Sequence, residues 1–460
     1  MKKTLFLFLL LIGLLCALSV SACAAEIVAS GDCGENVTWT LDSEGTLTVK
    51  GSGRMNDYDH FEGRATYTPW WLYTFESSKQ YIYKIVVEEG VTHIGVGAFD
   101  RCWAAETIDF PRDIPSIGTH AFAYCESMTE FRFPDGMTAI PESLLFGCAA
   151  LKTLDIPNTV TRIGASAFGY CSGLSELEIP ASVTAIGEGA FQDCAGLTEF
   201  DWPETVTAIP KEAFKGCDQL ARVGIPASVT SIGAYAFQGC NALTALPEMP
   251  GVESIGSFAF WNCLGLKTAV VPDSVTALQG RAFSGCVELE SAVLPAGVTE
   301  AAMYLFQECE KLERVTLPLG LKTVSDSAFL GCKALTDVFY RGTQAQWDGV
   351  SVVERGNDAL LGATMHFADR AGSMTADGGG RVDFSLTDGV LSLSNGSLGA
   401  ITPETPVFVA VYDSRGRFAG LQICEGPCSV NVGGDKARLF WIRGDSFTPL
   451  SECAGISLTD

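Results

Sequence analysis

The segment Leu174-Ser175-Glu176-Leu177-Glu178-Ile179-Pro180-Ala181-Ser182-Val183-Thr184-Ala185-Ile186-Gly187-Glu188-Gly189-Ala190-Phe191-Gln192-Asp193-Cys194 is one copy of a pattern that returns every 23 residues. Cysteines stand at 102, 125, 148, 171, 194, 217, 240, 263, 286, 309 and 332, eleven in succession at that interval. Three residues before each lies a phenylalanine, from Phe99 to Phe329, except in the third repeat, which has Leu145 in the slot and Phe146 beside it. Leucine follows three residues after the cysteine in nine repeats and proline nine residues after it in nine; the repeat at Cys240 has Pro247 and Pro250 instead. Apolar residues six and eight after the cysteine alternate at period two just ahead of a proline that cannot donate to a ladder, which predicts a short strand ended by a turn. Val-x-x-Ile-Gly then turns the chain and Ala-Phe-x-x-Cys returns it. A single turn cannot bury both faces of its apolar wedge, but stacked copies bury Leu, Ile, Val, Phe and Cys against identical neighbours. The predicted fold is a β-solenoid of about eleven repeats and twelve rungs, with strand slots from Ile85 to Val338.

These repeats resemble the BspA-like, Treponema-type leucine-rich repeats of bacterial surface proteins, over roughly residues 80 to 340. The resemblance implies that the strands line the concave side of the solenoid and that the chain serves surface adhesion. The flanks resemble the family as well. Cys33-Gly34 with Trp39 to Val49 is similar to its N-terminal module and reads independently as a hairpin turning at Ser43 to Gly45. Tyr340-Arg341-Gly342-Thr343, Gln346-Trp347 and Leu360 to Phe367 are similar to its terminal cap. Both flanks would cover solenoid ends that otherwise expose core and strand edges. The expected organisation is a leader over 1–24, an N-terminal β-rich cap over 25–79, the solenoid over 80–367 with its own cap at 340–367, and an accessory domain over 371–460. In the last region, apolar segments alternate with turn signals at Asp388-Gly389, Asn395-Gly396 and Gly433-Gly434, which predicts a small β-sandwich. Val409 to Arg417 and Phe447 to Leu450 resemble an immunoglobulin- or fibronectin-III-like module.

The chain of 460 residues carries 54 acidic and 30 basic side chains, a net charge of −24, with only four histidines. Such a charge repels phosphate backbones and anionic lipid heads, so neither nucleic acid nor polybasic membrane docking is expected. Lys2 and Lys3 precede an uncharged run from Leu5 to Val20 and then the small residues Ser21 to Ala25, the pattern of a secretory signal peptide. At 1.5 Å per residue the run makes a helix of about 24 Å, short of a hydrocarbon core of about 30 Å. Ala22-Cys23-Ala24 fits ordinary cleavage and soluble release, while Val20-Ser21-Ala22-Cys23 resembles a lipobox in which Cys23 is acylated and anchors the chain. Either route exports it, and no later stretch is long enough to span a bilayer. Loss of the leader removes two lysines and no acid, leaving −26.

The 17 cysteines suggest a disulfide framework until their spacing is considered. Equivalent Cβ atoms on stacked rungs run parallel at about 4.8 Å, whereas a bridge needs convergent side chains at about 3.8 Å. Nor does a second ligand accompany each one at metal spacing. The series therefore reads as small buried hydrophobes. Cys424 and Cys428 could meet across the turn Glu425-Gly426-Pro427. No catalytic, cofactor or metal site is expected: the histidines at 60, 93, 120 and 366 are far apart, and His120 fills a slot that other repeats give to Ser166, Gly189 or Arg281. Asn56-Asp57-Tyr58-Asp59 reads as a surface loop, with calcium as the alternative.

Function then falls to the outward strand positions, five and seven residues after each cysteine. The first half presents Asp109, Glu130, Arg132, Asp155, Glu176, Glu178, Glu199 and Asp201. The second half presents Val270, Val293 and Phe339 in a largely neutral, more apolar set that also includes Arg314 and Asp337. This predicts a divided groove in which Glu176, Glu178, Glu199 and Asp201 attract a basic ligand while Val270 and Val293 give dry contact. The expected protein is an exported, non-catalytic scaffold on the cell surface that binds a protein or glycan of host or microbe. The alternative is a structural envelope component that self-associates.

Overall fold

A computed structural model describes residues 25–58, 67–74 and 81–367 in full, and the backbone of strands between residues 370 and 457. The leader with Cys23, the residues Asp59 and His60, and the side chains of Cys424 and Cys428 lie outside the described residues. The chain is a β-solenoid of about twelve turns that divides into two compact units, residues 1–137 with 147–151, and residues 138–146 with 152–460.

Every turn solves the same problem of satisfying its backbone without helices or long strands. A strand of two to four residues in most turns pairs in parallel with the turn 23 residues on, as Glu199–Asp201 does with Arg222–Gly224. The proline then closes a tight turn, its carbonyl accepting from the amide three residues later, as Pro180 accepts from Val183 at 3.0 Å. A second short strand follows, such as Arg162–Ile163 paired with Ala185–Ile186. The glycine after it is required by close approach: a Cβ on Gly187 would lie 2.4 Å from the backbone nitrogen of Ala165. Main-chain bonds to the next rung continue through the returning segment, for example from Phe191 to Ala213 at 3.1 Å.

The returning segment bends through left-handed backbone at two places in each turn, five residues and one residue before the cysteine. The first is held by Ser166 (φ 50), Glu212 (φ 58), Tyr235 (φ 60), Phe258 (φ 60) and Arg281 (φ 62), among others. His120 (φ 57) occupies this slot too, so backbone geometry, not side-chain chemistry, is what the position imposes.

The phenylalanines form a column within each unit. In the second, Phe168, Phe191, Phe214, Phe237, Phe260, Phe283, Phe306 and Phe329 stack ring on ring at centroid separations of 5.2 to 6.0 Å. In the first, Phe99 stacks on Phe122 and carries Trp70 on its other side at 5.6 Å. The cysteines lie beside this column as unbridged, buried thiols. Each from Cys125 onward donates its S–H to the carbonyl of the residue 26 positions earlier, as Cys217 does to Phe191 at 3.1 Å. Desolvation by burial pushes up the thiols of Cys102, Cys125 and each from Cys194 to Cys332, Cys263 and Cys332 to about 12, which keeps them neutral.

The hairpin expected near residue 44 is present: Val37–Asp42 pairs with Thr46–Gly51, and Asp42 accepts the amides of Glu44 and Thr46, each at 2.9 Å. Thr46–Gly51 then pairs in parallel with Lys84–Val87, so the first solenoid strand grows directly on the hairpin. At the other end Asn357, fully buried, takes the place of the backbone acceptor that the next repeat supplies elsewhere. Its side chain accepts from the amide of Phe329 at 3.0 Å and donates to the carbonyls of Ser325 and Val353. Thr343 and Gln346 cap the preceding short helix reciprocally. Beyond residue 370 the strands pair antiparallel, Arg381–Thr387 with Arg370–Thr375 and Val390–Asn395, and Val407–Tyr412 with Phe418–Cys424 and Lys436–Arg443.

Candidate ligand-binding face

Strand alternation decides which side chains the solenoid offers to a partner. In the second unit Leu154, Leu177, Phe200, Trp202 and Val223 point into the core, while Asp155, Glu176, Glu178, Glu199 and Asp201 are exposed between them. Asp109, Glu130 and Arg132 are exposed on the first unit in the same alternation, beside buried Phe131 and Phe133. Val270 is 59% exposed, and Val293, its register partner, is half-buried.

The acids of the second unit line an open groove of about 730 Å³ running from Thr153 to Arg222. Its rim was not foreseen as a functional element. Arg222 donates from Nε to Glu199 at 3.0 Å and from its two terminal nitrogens to Asp201 at 2.8 and 3.3 Å. These hydrogen bonds, Asp201 first and Glu199 second, raise the guanidinium pKa further above its ordinary value. Gly224 makes the clamp possible, because a Cβ there would lie 2.3 Å from the Asp201 carboxylate. Of the four acids expected to act alike, Glu199 and Asp201 are thus already engaged, whereas Glu176 and Glu178, together with Asp155, have no ion-pair or hydrogen-bond partner among the described residues. The signal in the sequence was Arg222 one repeat after Glu199, with glycine two positions beyond it.

The apolar half differs from its sequence pattern at the end. Val270, Val293, Thr316 and Phe339 lie in register, but the strand Thr364–His366 adds one more rung. The His366 imidazole stacks on Phe339 at 4.4 Å and makes a hydrogen bond with Asp337 at 2.7 Å, leaving Phe339 only 6% exposed. The offset from Phe339 to His366 is 27 residues, so the 23-residue ruler could not anticipate the lid.

Elsewhere, the two described histidines of the first unit have separate settings. His120 sits in the left-handed slot, while buried His93 lies between Ser116 (Nδ1 to Oγ, 2.7 Å) and Asp57 (Nε2 to Oδ1, 3.4 Å). Asp57 also accepts the amide of Val96 at 2.9 Å, so its carboxylate ties the 55–58 segment to the first turn. Among the described residues no group of three or more His, Cys, Asp or Glu is placed to hold a metal ion. No helix among them is long and apolar enough to cross a membrane.

A parallel solenoid with rigid columns and a side-chain-lined groove defines a repeat protein of the ligand-binding-scaffold class. The BspA type Leucine rich repeat region matches residues 72–198, 142–263 and 245–348, more than half of the sequence, and the chain belongs to that family. No curated protein matches it. Solved structures that are similar include a leucine-rich repeat protein from Eubacterium ventriosum, 22% identical over 66% of this chain and 95% of that one, with a TM-score of 0.46. Another, from Bacteroides ovatus, is 23% identical over 73% and 99%, with a TM-score of 0.38. A leucine rich cell surface protein from Faecalibacterium prausnitzii is 21% identical over 70% and 97%, with a TM-score of 0.29.

Proposed function

We propose that the chain is an exported, non-catalytic adhesion scaffold that holds a lysine- or arginine-rich segment of a partner protein in the groove between Thr153 and Arg222. The observation that carries this reading is the set of unpartnered carboxylates, Asp155, Glu176 and Glu178, fixed on a rigid sheet. With Glu199, Asp201 and Arg222 the lining residues carry a net charge of −4. Carboxylates on adjacent rungs repel one another, and a cationic ligand relieves that repulsion on binding. The leader pattern supports delivery to the outside of the cell.

The test is calorimetric titration of the exported chain with an oligolysine peptide, raising salt from about 0.01 M to about 0.15 M so that the screening length falls from ~30 Å to ~8 Å. Binding should weaken steeply with salt and lose roughly tenfold in the triple variant Asp155→Asn, Glu176→Gln, Glu178→Gln. Arg222→Met, which frees Glu199 and Asp201, should tighten it. Equal affinity in all three proteins refutes the groove; assembly that rises with protein concentration and ignores the peptide supports self-association in its place.

A further inference from the structure

Away from the strand face, the left-handed column five residues before each cysteine changes character over four consecutive turns of the second unit. Tyr235 and Phe258 stack at 4.6 Å, Arg281 lies over the Phe258 ring at 5.3 Å, and the same guanidinium lies over Tyr304 at 4.2 Å. Both faces of Phe258 are therefore occupied, and Trp261, 67° from its plane at 5.4 Å, meets its edge. All five side chains are partly exposed. Among the described residues Arg281 has no ion-pair partner and the Trp261 indole N–H no hydrogen-bond acceptor, although the chain has an excess of acids.

We infer that this column is a second binding site, for a carboxylate-bearing sugar such as a uronic acid within a polysaccharide. The guanidinium carbon lies over two rings, at 5.3 Å from Phe258 and 4.2 Å from Tyr304, so the rings flank the charge and leave its N–H donors to meet a carboxylate in a fork. Cation–π contact satisfies its charge electrostatically but uses none of its N–H groups. The indole supplies an amphipathic surface of the kind that takes the C–H face of a sugar ring while its N–H reaches a hydroxyl. A glycan suits the site better than an acidic peptide strand because the backbone has nothing left to offer. The amides of Tyr235, Phe258, Arg281 and Tyr304 all donate along the stack, to Ser257, Gly280, Met303 and Asp326. Recognition must come from side chains alone, and a strand-adding peptide would find no ladder to join.

Polygalacturonate, its methyl ester, dextran and polyglutamate, each titrated against the exported full chain, separate the chemistries. Polygalacturonate should bind, with the ester and polyglutamate at least roughly tenfold weaker. Arg281→Gly should lose about tenfold in affinity without loss of fold, since Gly97 and Gly189 already occupy the same left-handed slot. Trp261→Gln places the residue that Gln192, Gln238 and Gln307 supply at the equivalent position, and it should weaken sugar binding while leaving the salt dependence unchanged. Polyglutamate binding as tightly as polygalacturonate, an unchanged affinity in both variants, or the absence of any polygalacturonate binding overturns the assignment.

Discussion

Replacing Phe237 tests the physics that holds the turns in line. Its ring is fully buried between Phe214 at 5.5 Å and Phe260 at 5.2 Å, with interplanar angles of 15° and 6°. Its backbone is pinned as well: the amide donates to Ala259, and the carbonyl accepts from the Cys240 amide and the Cys263 thiol. The rungs on either side cannot collapse into a void, so Phe237→Ala should fall at the upper end of the usual range, about 4–5 kcal/mol. Phe237→Leu keeps most of the volume and forfeits two ring contacts of about 0.5–1.5 kcal/mol each, for a loss of about 1–3 kcal/mol. Leu145 in the same slot of an earlier turn, also fully buried, indicates that the fold accepts that exchange. In a nearest-neighbour stack, Phe237→Leu with Phe260→Leu breaks their shared contact only once, so the pair should cost about 1 kcal/mol less than the sum of the singles. Phe237→Leu with Phe306→Leu shares no contact and should add to within about 0.5 kcal/mol. Urea unfolding of the full chain, followed by tryptophan fluorescence and far-ultraviolet circular dichroism, gives the values for Phe237→Ala, the three single leucine variants and the two pairs. A Phe237→Ala loss below about 1 kcal/mol, or equal coupling in the near and distant pairs, refutes the rigid-column account.

The thiols and one buried acid give two further tests. Iodoacetamide applied to the folded chain and read by peptide mass mapping should leave Cys102 to Cys332 unlabelled, because burial keeps them neutral as well as covered; label on any of them before unfolding contradicts this. In the first unit both carboxylate oxygens of Asp100, 2% exposed, lack a hydrogen bond, and Arg101 Nε lies 3.5 Å away. Burial raises this acid to about 6, against the weaker pull of Arg101. The folded state therefore binds a proton more tightly than the unfolded one, so stability is highest below about pH 4 for this group and falls as pH rises to about 6, by about 3 kcal/mol. Asp100→Asn should abolish that slope and stabilise the unit at neutral pH, as thermal melts across the range would reveal; an unchanged slope rules the group out.

Much of the architecture could be read because the repeat is exact. A period of 23 with period-two alternation inside it fixes which side chains face the core, and Asp155, Glu176, Glu178, Glu199 and Asp201 emerge where alternation puts them. Spacing also excluded bridges within the cysteine series, but it could not show that each thiol donates to a carbonyl 26 residues back. The left-handed slots were harder to see because one holds Ser166, Glu212, Phe258 and Arg281 alike, and no residue type betrays the backbone. The second was more legible, with glycine at 147, 216, 239, 285 and 331. Interactions that depend on side-chain reach escaped the column reading. Arg222 neutralises two acids of the rung before it, and His366 covers Phe339 from a strand offset by 27 residues.

The two proposed sites share a physical origin. In a solenoid whose inward columns and backbone bonds are fully used, turn-to-turn cohesion leaves the outward columns free of structural duty, and a residue there is constrained only by backbone geometry. Equivalent positions on neighbouring turns are then close enough to act together, so a run of like residues becomes a surface: carboxylates from Asp155 to Asp201 on one column pair, and rings enclosing a guanidinium from Tyr235 to Tyr304 on another. The two runs differ in how they are preorganised. The acids repel and stay open except where Arg222 closes the row, whereas the rings attract and lock Arg281 between them. A cationic segment gains by relieving strain in the first and a carboxylate gains from a donor already fixed in the second, so salt should weaken both while loss of an aromatic ring should damage only the second.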